Sequence, residues 1–333
     1  MSLFKKDPLQ IITFDAYGTN THFYLRGRAL EDESINLDRR NIFSLLKNMW
    51  KRLETDEVKN TEIEVRLPNG VILKSKTDKH GYFKVNEKVE DLYKLINDEG
   101  WVNFEVAYAD TSIKRVIQLK NRFPGKILIP SNKANFGVIT DIDDTILQTG
   151  VVSILKWRVL VNTVFKSAKK RLPLKGAPNL YNLLHRGISG ENTNPIFYVS
   201  HSPWNLYRYL ELFLRQNDFP KGPVLLRTFQ TFFIRKTDGH QPQKQIEILN
   251  LLKTYPKLPF ILIGDSGEHD ADIYKEIAEL YPDRILAIYL RSVNSRKRML
   301  RVKGVYDNYK TTPVLFVEDS DQAIEHAKKM KFI

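Results

Sequence analysis

Two hydrophobic rhythms divide the chain. Up to about residue 130, apolar and polar positions alternate in short segments. Ile63, Val65 and Leu67 fall on one face, Pro68-Asn69-Gly70 follows, and Val71 and Leu73 resume, which predicts a β-hairpin turning at Asn-Gly. Further strands are expected over residues 21–30, 81–85, 101–108 and 113–119, together a small β-sandwich. One helix interrupts them: Ile42, Leu45, Leu46, Met49 and Leu53 recur at helical spacing, and Arg39, Arg40, Lys47, Lys51 and Arg52 make its other side basic. Residues 130–135, Pro-Ser-Asn-Lys-Ala-Asn, read as a linker.

Beyond residue 135, short and nearly continuous apolar runs alternate with longer amphipathic stretches, the pattern of buried parallel strands joined by crossover helices. Strands are expected over residues 136–141, 195–200, 223–227, 260–264, 285–290 and 314–317. The predicted fold is therefore α/β, a Rossmann-like domain over residues 131–333 with a mostly parallel sheet, preceded by a mostly-β domain over residues 1–130. Ligands of open α/β sheets sit beyond the carboxyl ends of the strands, so the polar residues there are the candidates for chemistry.

The length of 333 residues suits two domains, each able to bury a core of its own. No apolar run exceeds six residues, against the roughly 20 that a spanning helix requires. The first residues show no apolar segment of signal length, so a cytoplasmic location is expected. Zero cysteines exclude disulfides, thiolate metal sites and cysteine nucleophiles. The formal net charge of +13 favours anionic partners. No motif with aromatics interleaved among basic residues is evident, and no nucleic-acid partner is expected.

Four segments carry candidate chemistry. The first α/β strand ends in Asp141-Ile142-Asp143-Asp144-Thr145, three carboxylates directly after an apolar run. Alone, this reads equally as a solvated acidic turn, and the later glycine and glutamate of an EF-hand are missing. The second strand ends in Ser200, where Pro203 suits the first turn of a helix and the hydroxyl and helix terminus suit an anion. Lys244 opens a helical stretch before Ile246, Ile248, Leu249 and Leu252. Residues 260–270 run from an apolar strand straight into Gly264-Asp265-Ser266-Gly267-Glu268-His269-Asp270. Asp265 and Asp270 would repel the cluster at Asp141 and Asp143 unless a divalent cation held them together.

Acid pair, serine, lysine and acid pair, each at a strand of one α/β domain, resemble the four motifs of the haloacid dehalogenase superfamily. More narrowly, Gly137-Val138-Ile139-Thr140 before the first acid cluster, the segment from Phe197 to Tyr207, and the segment from Gly264 to Asp270 followed by Asp272-Ile273-Tyr274 resemble the catalytic domain of actin-patch-type phosphatidate phosphatases. That resemblance covers about residues 135–330. Leu25-Arg26-Gly27-Arg28 and Asp78-Lys79-His80-Gly81-Tyr82-Phe83 resemble the β-sandwich that precedes this domain in bacterial members. One departure is Gln243-Lys244, where the family often has His-Lys; His240 lies upstream.

The resemblance implies a Mg²⁺-dependent phosphatidate phosphatase. Asp141 is then the nucleophile that forms an aspartyl-phosphate, and Asp143 the general acid and base. Asp141, the backbone carbonyl of Asp143 and Asp265 hold Mg²⁺, with Asp270 beside it. Ser200 and Lys244 bind phosphate oxygens, while Thr145, among the same substrate-side residues, fixes the loop. The implied partners are phosphatidate or another phosphomonoester and an anionic membrane surface met peripherally. Three membrane contacts suggest themselves: residues 153–171, with an apolar stripe and six basic residues; the helix around Trp50; and the basic run 291–303. Two other functions fit less of the pattern, a phosphatase for a soluble phosphomonoester or phosphoprotein and a non-catalytic membrane- or partner-binding module.

Overall fold

A computed structural model describes residues 7–14, 16–31, 57–109, 112–142, 145–146, 176–227, 242–266, 269–292 and 296–333. The expected helix over residues 42–53 and the stripe over 153–171 lie outside the described residues, as do Asp143, Asp144 and His240. The chain divides into two compact units, Met1–Ser131 and Asn132–Ile333.

In the first unit, alternation of apolar and polar residues produces β1 (Leu9–Thr13), β2 (Ala16–Thr19), β3 (His22–Glu31), β4 (Glu62–Arg66), β5 (Ile72–Lys76), β6 (Tyr82–Lys88), β7 (Trp101–Tyr108) and β8 (Phe123–Leu128). These form one continuous sheet in the order β1-β3-β2-β8-β7-β4-β5, with β6 on the other edge of β3. The sheet curls on itself, since Ser75 Oγ of β5 donates to the Lys84 carbonyl of β6 at 2.8 Å. Its inner face is the expected hydrophobic one: Phe23, Leu25, Ile63, Val65, Phe83, Val85, Phe104 and Val106 are buried together. The hairpin of β4 and β5 turns at Asn69-Gly70, where Gly70 takes a φ of +85° that suits glycine.

Residues 113–119 do not form the expected strand. Leu9 bridges Ile117 and nothing longer develops, and the chain then turns through positive φ at Leu119, Lys120 and Asn121. The strand that completes the sheet is instead β8, Phe-Pro-Gly-Lys-Ile-Leu, whose Pro124 and Gly125 disguise it. Pro124 is tolerated because β2 pairs with β8 only at Ile127 and Leu128, so the proline needs no donor on that side.

The second unit is an all-parallel sheet of β9 (Gly137–Asp141), β10 (Ile196–Pro203), β11 (Val224–Arg227), β12 (Phe260–Asp265), β13 (Ile285–Arg291) and β14 (Val314–Val317), in the order β11-β10-β9-β12-β13-β14. Its helices are α1 (Ala177–Arg186), α2 (Tyr207–Gln216), α3 (Gln243–Thr254), α4 (Asp270–Leu280), α5 (Arg296–Val305) and α6 (Ser320–Lys329). Every position of β9 and β12 is buried, as strands covered on both faces require. The chain starts at β9, moves outward to β11, and returns to β12 on the other side of β9. The strand order therefore reverses between β9 and β12, and a ligand site belongs at their carboxyl ends.

Candidate active site

Asp141 is the last residue of β9 and Asp265 the last of β12, and the two strands are paired with Thr140 opposite Ile263. Two carboxylates far apart in sequence thus end neighbouring strands at the switch point. Both are buried. Asp270 follows in the first turn of α4, where the helix dipole favours a carboxylate, and its Oδ2 accepts from the Asp265 backbone N–H at 3.4 Å.

Lys244 sits in the first turn of α3 with 0% of its side chain exposed. Its ammonium donates to Asp141 Oδ1 at 2.7 Å and to Asp270 Oδ1. Neither burial nor the positive end of a helix suits an ammonium, so these carboxylates are what keep it there. The turn before α4 is shaped to allow this contact. A Cβ built on Gly264 would lie 2.6 Å from Asp270 Oδ2 and 2.7 Å from Tyr274 Cε2. Glycine at 264 is what lets Asp270 fold back over the strand end.

The other expected residues occupy the same end of the sheet. Ser200 lies one residue beyond Val199, which pairs with Asp141, and its Oγ accepts from the Ser202 N–H at 2.9 Å. The strand continues through Pro203, so the helix opens later than expected, at Tyr207 after a single tight turn. Thr145 is buried just past the β9 end, and its Oγ1 has no hydrogen-bond partner among the described residues. Arg291 ends β13 opposite Asp265. Desolvation pulls its guanidinium below the ordinary arginine range, against the opposing influence of Tyr181 and Asp319.

Several contributors carry no signal in the sequence. Tyr181 of α1 meets the Thr140 hydroxyl at 2.6 Å, and that hydroxyl donates to the Asp141 carbonyl at 2.9 Å, so a buried chain of hydroxyls steadies the peptide of Asp141. Burial pushes the Tyr181 phenol far above its usual range, keeping it a neutral donor. Tyr274 likewise donates to the Ile263 carbonyl of β12 at 3.0 Å. Buried tyrosines normally pack as core, and only contact geometry singles these out.

Carboxylates are hard oxygen donors of the kind Mg²⁺ prefers, and Asp141 and Asp265 at adjacent strand ends fit it in donor type. Among the described residues, no three His, Cys, Asp or Glu side chains are gathered so as to hold a metal by themselves. A bound Mg²⁺ would need backbone oxygens and water as well, as Mg²⁺ sites commonly do.

Residues 136–292 match the family described as the catalytic domain of phosphatidate phosphatase APP1. The match lies within the second unit and covers most of it. This APP1-type domain begins just before β9 and ends just after β13, so it contains every residue of the cluster. Over 174 residues the chain is 36% identical to phosphatidate phosphatase APP1 of Saccharomyces cerevisiae, covering 52% of this chain and 28% of the relative. Over 221 residues it is 27% identical to an uncharacterized protein of Schizosaccharomyces pombe, covering 66% of this chain and 34% of that one. The match thus spans about a third of each curated relative's length. A flavohemoglobin crystal structure from Malassezia yamatoensis aligns at a TM-score of 0.21 and 12% identity over 84% of this chain and 60% of that one, too weak a likeness to bear on the fold.

Proposed function

We propose that the chain is a Mg²⁺-dependent phosphatase that hydrolyses phosphatidate to diacylglycerol and phosphate. The observation that carries this reading is the buried Lys244 ammonium joining Asp141 to Asp270 at the switch point of an APP1-type domain. A nucleophilic carboxylate must be ionised and aimed. Lys244 favours the charged form of Asp141 and fixes one of its oxygens, and the Tyr181–Thr140 chain fixes its backbone.

On this reading an Asp141 oxygen attacks phosphorus as the bond to the glycerol oxygen breaks. Asp143 gives its proton to that oxygen, an aid worth perhaps 10²–10⁴-fold for so poor a leaving group. Asp143 then takes a proton from the water that cleaves the aspartyl-phosphate. Ser200 and Lys244 bind the phosphate oxygens, with Thr145 setting the loop. Bound Mg²⁺ would supply charge neutralisation for the phosphate oxygens, held by Asp141, Asp265 and the Asp143 carbonyl with Asp270 beside them. The substrate is a bilayer lipid and the chain carries a formal +13, so the same reading places the enzyme in the cytoplasm, peripherally at an anionic membrane.

The test is phosphate release from phosphatidate in mixed micelles, compared with soluble phosphomonoesters, with and without Mg²⁺. Metal-dependent turnover of phosphatidate is expected, and Asp141→Asn and Asp143→Asn should each reduce it to background while leaving the circular dichroism spectrum unchanged. Preference for a soluble phosphomonoester would transfer the chemistry to another substrate. Undiminished turnover in either variant would refute the assignment.

A further inference from the structure

The two amino-terminal motifs, Leu-Arg-Gly-Arg and Asp-Lys-His-Gly-Tyr-Phe, are distant in sequence and adjacent in the fold. Leu25 to Arg28 lies on β3 and Asp78 to Phe83 turns into the start of β6 beside it, with Arg26 opposite Lys84, Gly27 opposite Phe83 and Arg28 opposite Tyr82. Part of this is architecture. Asp78 accepts from the His80 and Tyr82 N–H groups, Gly81 turns with a φ of +75°, and Arg28 donates to the His80 carbonyl, pairs with Glu57 and lies 4.9 Å from the Tyr82 ring.

Beside it runs an outward row that carries basic residues and no acid. Along β3 it reads His22, Tyr24 and Arg26, and along β6 Lys88, Asn86, Lys84 and Tyr82, with Arg28 buried at its end. Three of these seven outward positions are Lys or Arg and none is acidic. Arg26 and Lys84 stand directly across from each other, an arrangement of like charges that weakens an antiparallel pair. Both are drawn over one ring: Lys84 Nζ lies 5.2 Å and the Arg26 guanidinium 6.0 Å from the Tyr24 centroid. Lys84 and Lys88 are exposed.

We infer that this face of β3 and β6 docks the protein on an anionic lipid surface. The charge is complementary to a plane of phosphate headgroups. The alternative occupant, single-stranded nucleic acid, wants open aromatic faces for stacking, and the Tyr24 ring is already taken up by Tyr17 at 4.8 Å and by the two cations. The choice of a lipid occupant rests on the phosphatidate reading above.

The experiment uses the full chain and sedimentation with vesicles of phosphatidylcholine alone or with about one-fifth phosphatidylserine, a lipid that is not a substrate. Binding to the mixed vesicles alone is expected. Lys84→Ala should weaken it about fivefold, and Lys84→Ala with Lys88→Ala about twenty-five-fold. Lys84 is exposed, so the thermal midpoint of the Lys84→Ala protein should stay close to that of the parent, and a loss of binding through unfolding is separable. Release of phosphate from a soluble short-chain phosphatidate should be unchanged in both variants. Failure of the parent to sediment, equal sedimentation of the double variant, or preferential capture of a single-stranded oligonucleotide would each overturn the inference. A parent that binds vesicles but releases no phosphate would overturn the proposed function and leave this face as assigned.

Discussion

At Lys244 the helix dipole and desolvation both oppose the ammonium, and two buried carboxylates outweigh them. Lys244→Met removes the ammonium and leaves both carboxylates buried without it, while keeping the side-chain volume. A destabilisation of about 3–5 kcal/mol is expected, the range for breaking a buried pair by removing one partner. It is read as a lower urea midpoint. Adding Asp270→Asn should cost less than the sum of the single changes, because the residues act as one network. A midpoint unmoved by Lys244→Met would mean the ammonium is not a structural partner of the cluster. Gly264 belongs to the same contact. A methyl at 264 collides with Asp270 and Tyr274, so Gly264→Ala should cost about 1–3 kcal/mol and depress phosphate release by displacing Asp270. If activity and midpoint both survive, the clearance at 264 is irrelevant to the site.

At the scale of elements, the first unit depends on a close approach of β3 and β6. A Cβ on Gly27 would lie 2.3 Å from Phe83 Cζ and 2.9 Å from the Ile12 carbonyl oxygen. Gly27→Ala should therefore loosen the β3–β6 pairing, with faster amide hydrogen exchange at Leu25 and Val85; unaltered exchange there would show that the sheet absorbs the methyl. The parallel strands were legible in the sequence because strands buried on both faces are short unbroken apolar runs, and the candidates sought among the polar residues at their ends include Asp141, Lys244, Asp265 and Asp270, which the structure brings together. What escaped did so for local reasons. Residues 113–119 alternate well enough to suggest a strand, yet Val116 and Leu119 are exposed, and Asn121 instead binds the Tyr108 backbone at both its N–H and its carbonyl. The sequence of α3 puts Ile246 on the apolar stripe, whereas the helix exposes it and buries Lys244, Gln245 and Glu247. A helix whose first turn faces an acidic site need not bury its apolar residues first, and periodicity alone has no term for that.

At the scale of the molecule, the two units provide an internal control for the proposed metal. A ligand that binds only the folded state stabilises it by RT ln(1 + [L]/Kd), about 2.7 kcal/mol at a hundredfold excess over Kd. Asp141, Asp265 and Asp270 all belong to the unit Asn132–Ile333. Calorimetry in Mg²⁺ should therefore raise the unfolding transition of that unit, while the transition of Met1–Ser131 stays where it was with chelator. Asp265→Asn takes the negative charge from one proposed ligand without touching the Lys244 contacts to Asp141 and Asp270, and should abolish most of the shift. This readout does not depend on turnover, so it separates ion binding from catalysis. A Mg²⁺ shift that persists in Asp265→Asn would place the ion elsewhere. No shift in the parent at millimolar Mg²⁺ would remove the ion from the folded site and leave the carboxylates to be explained by Lys244 alone.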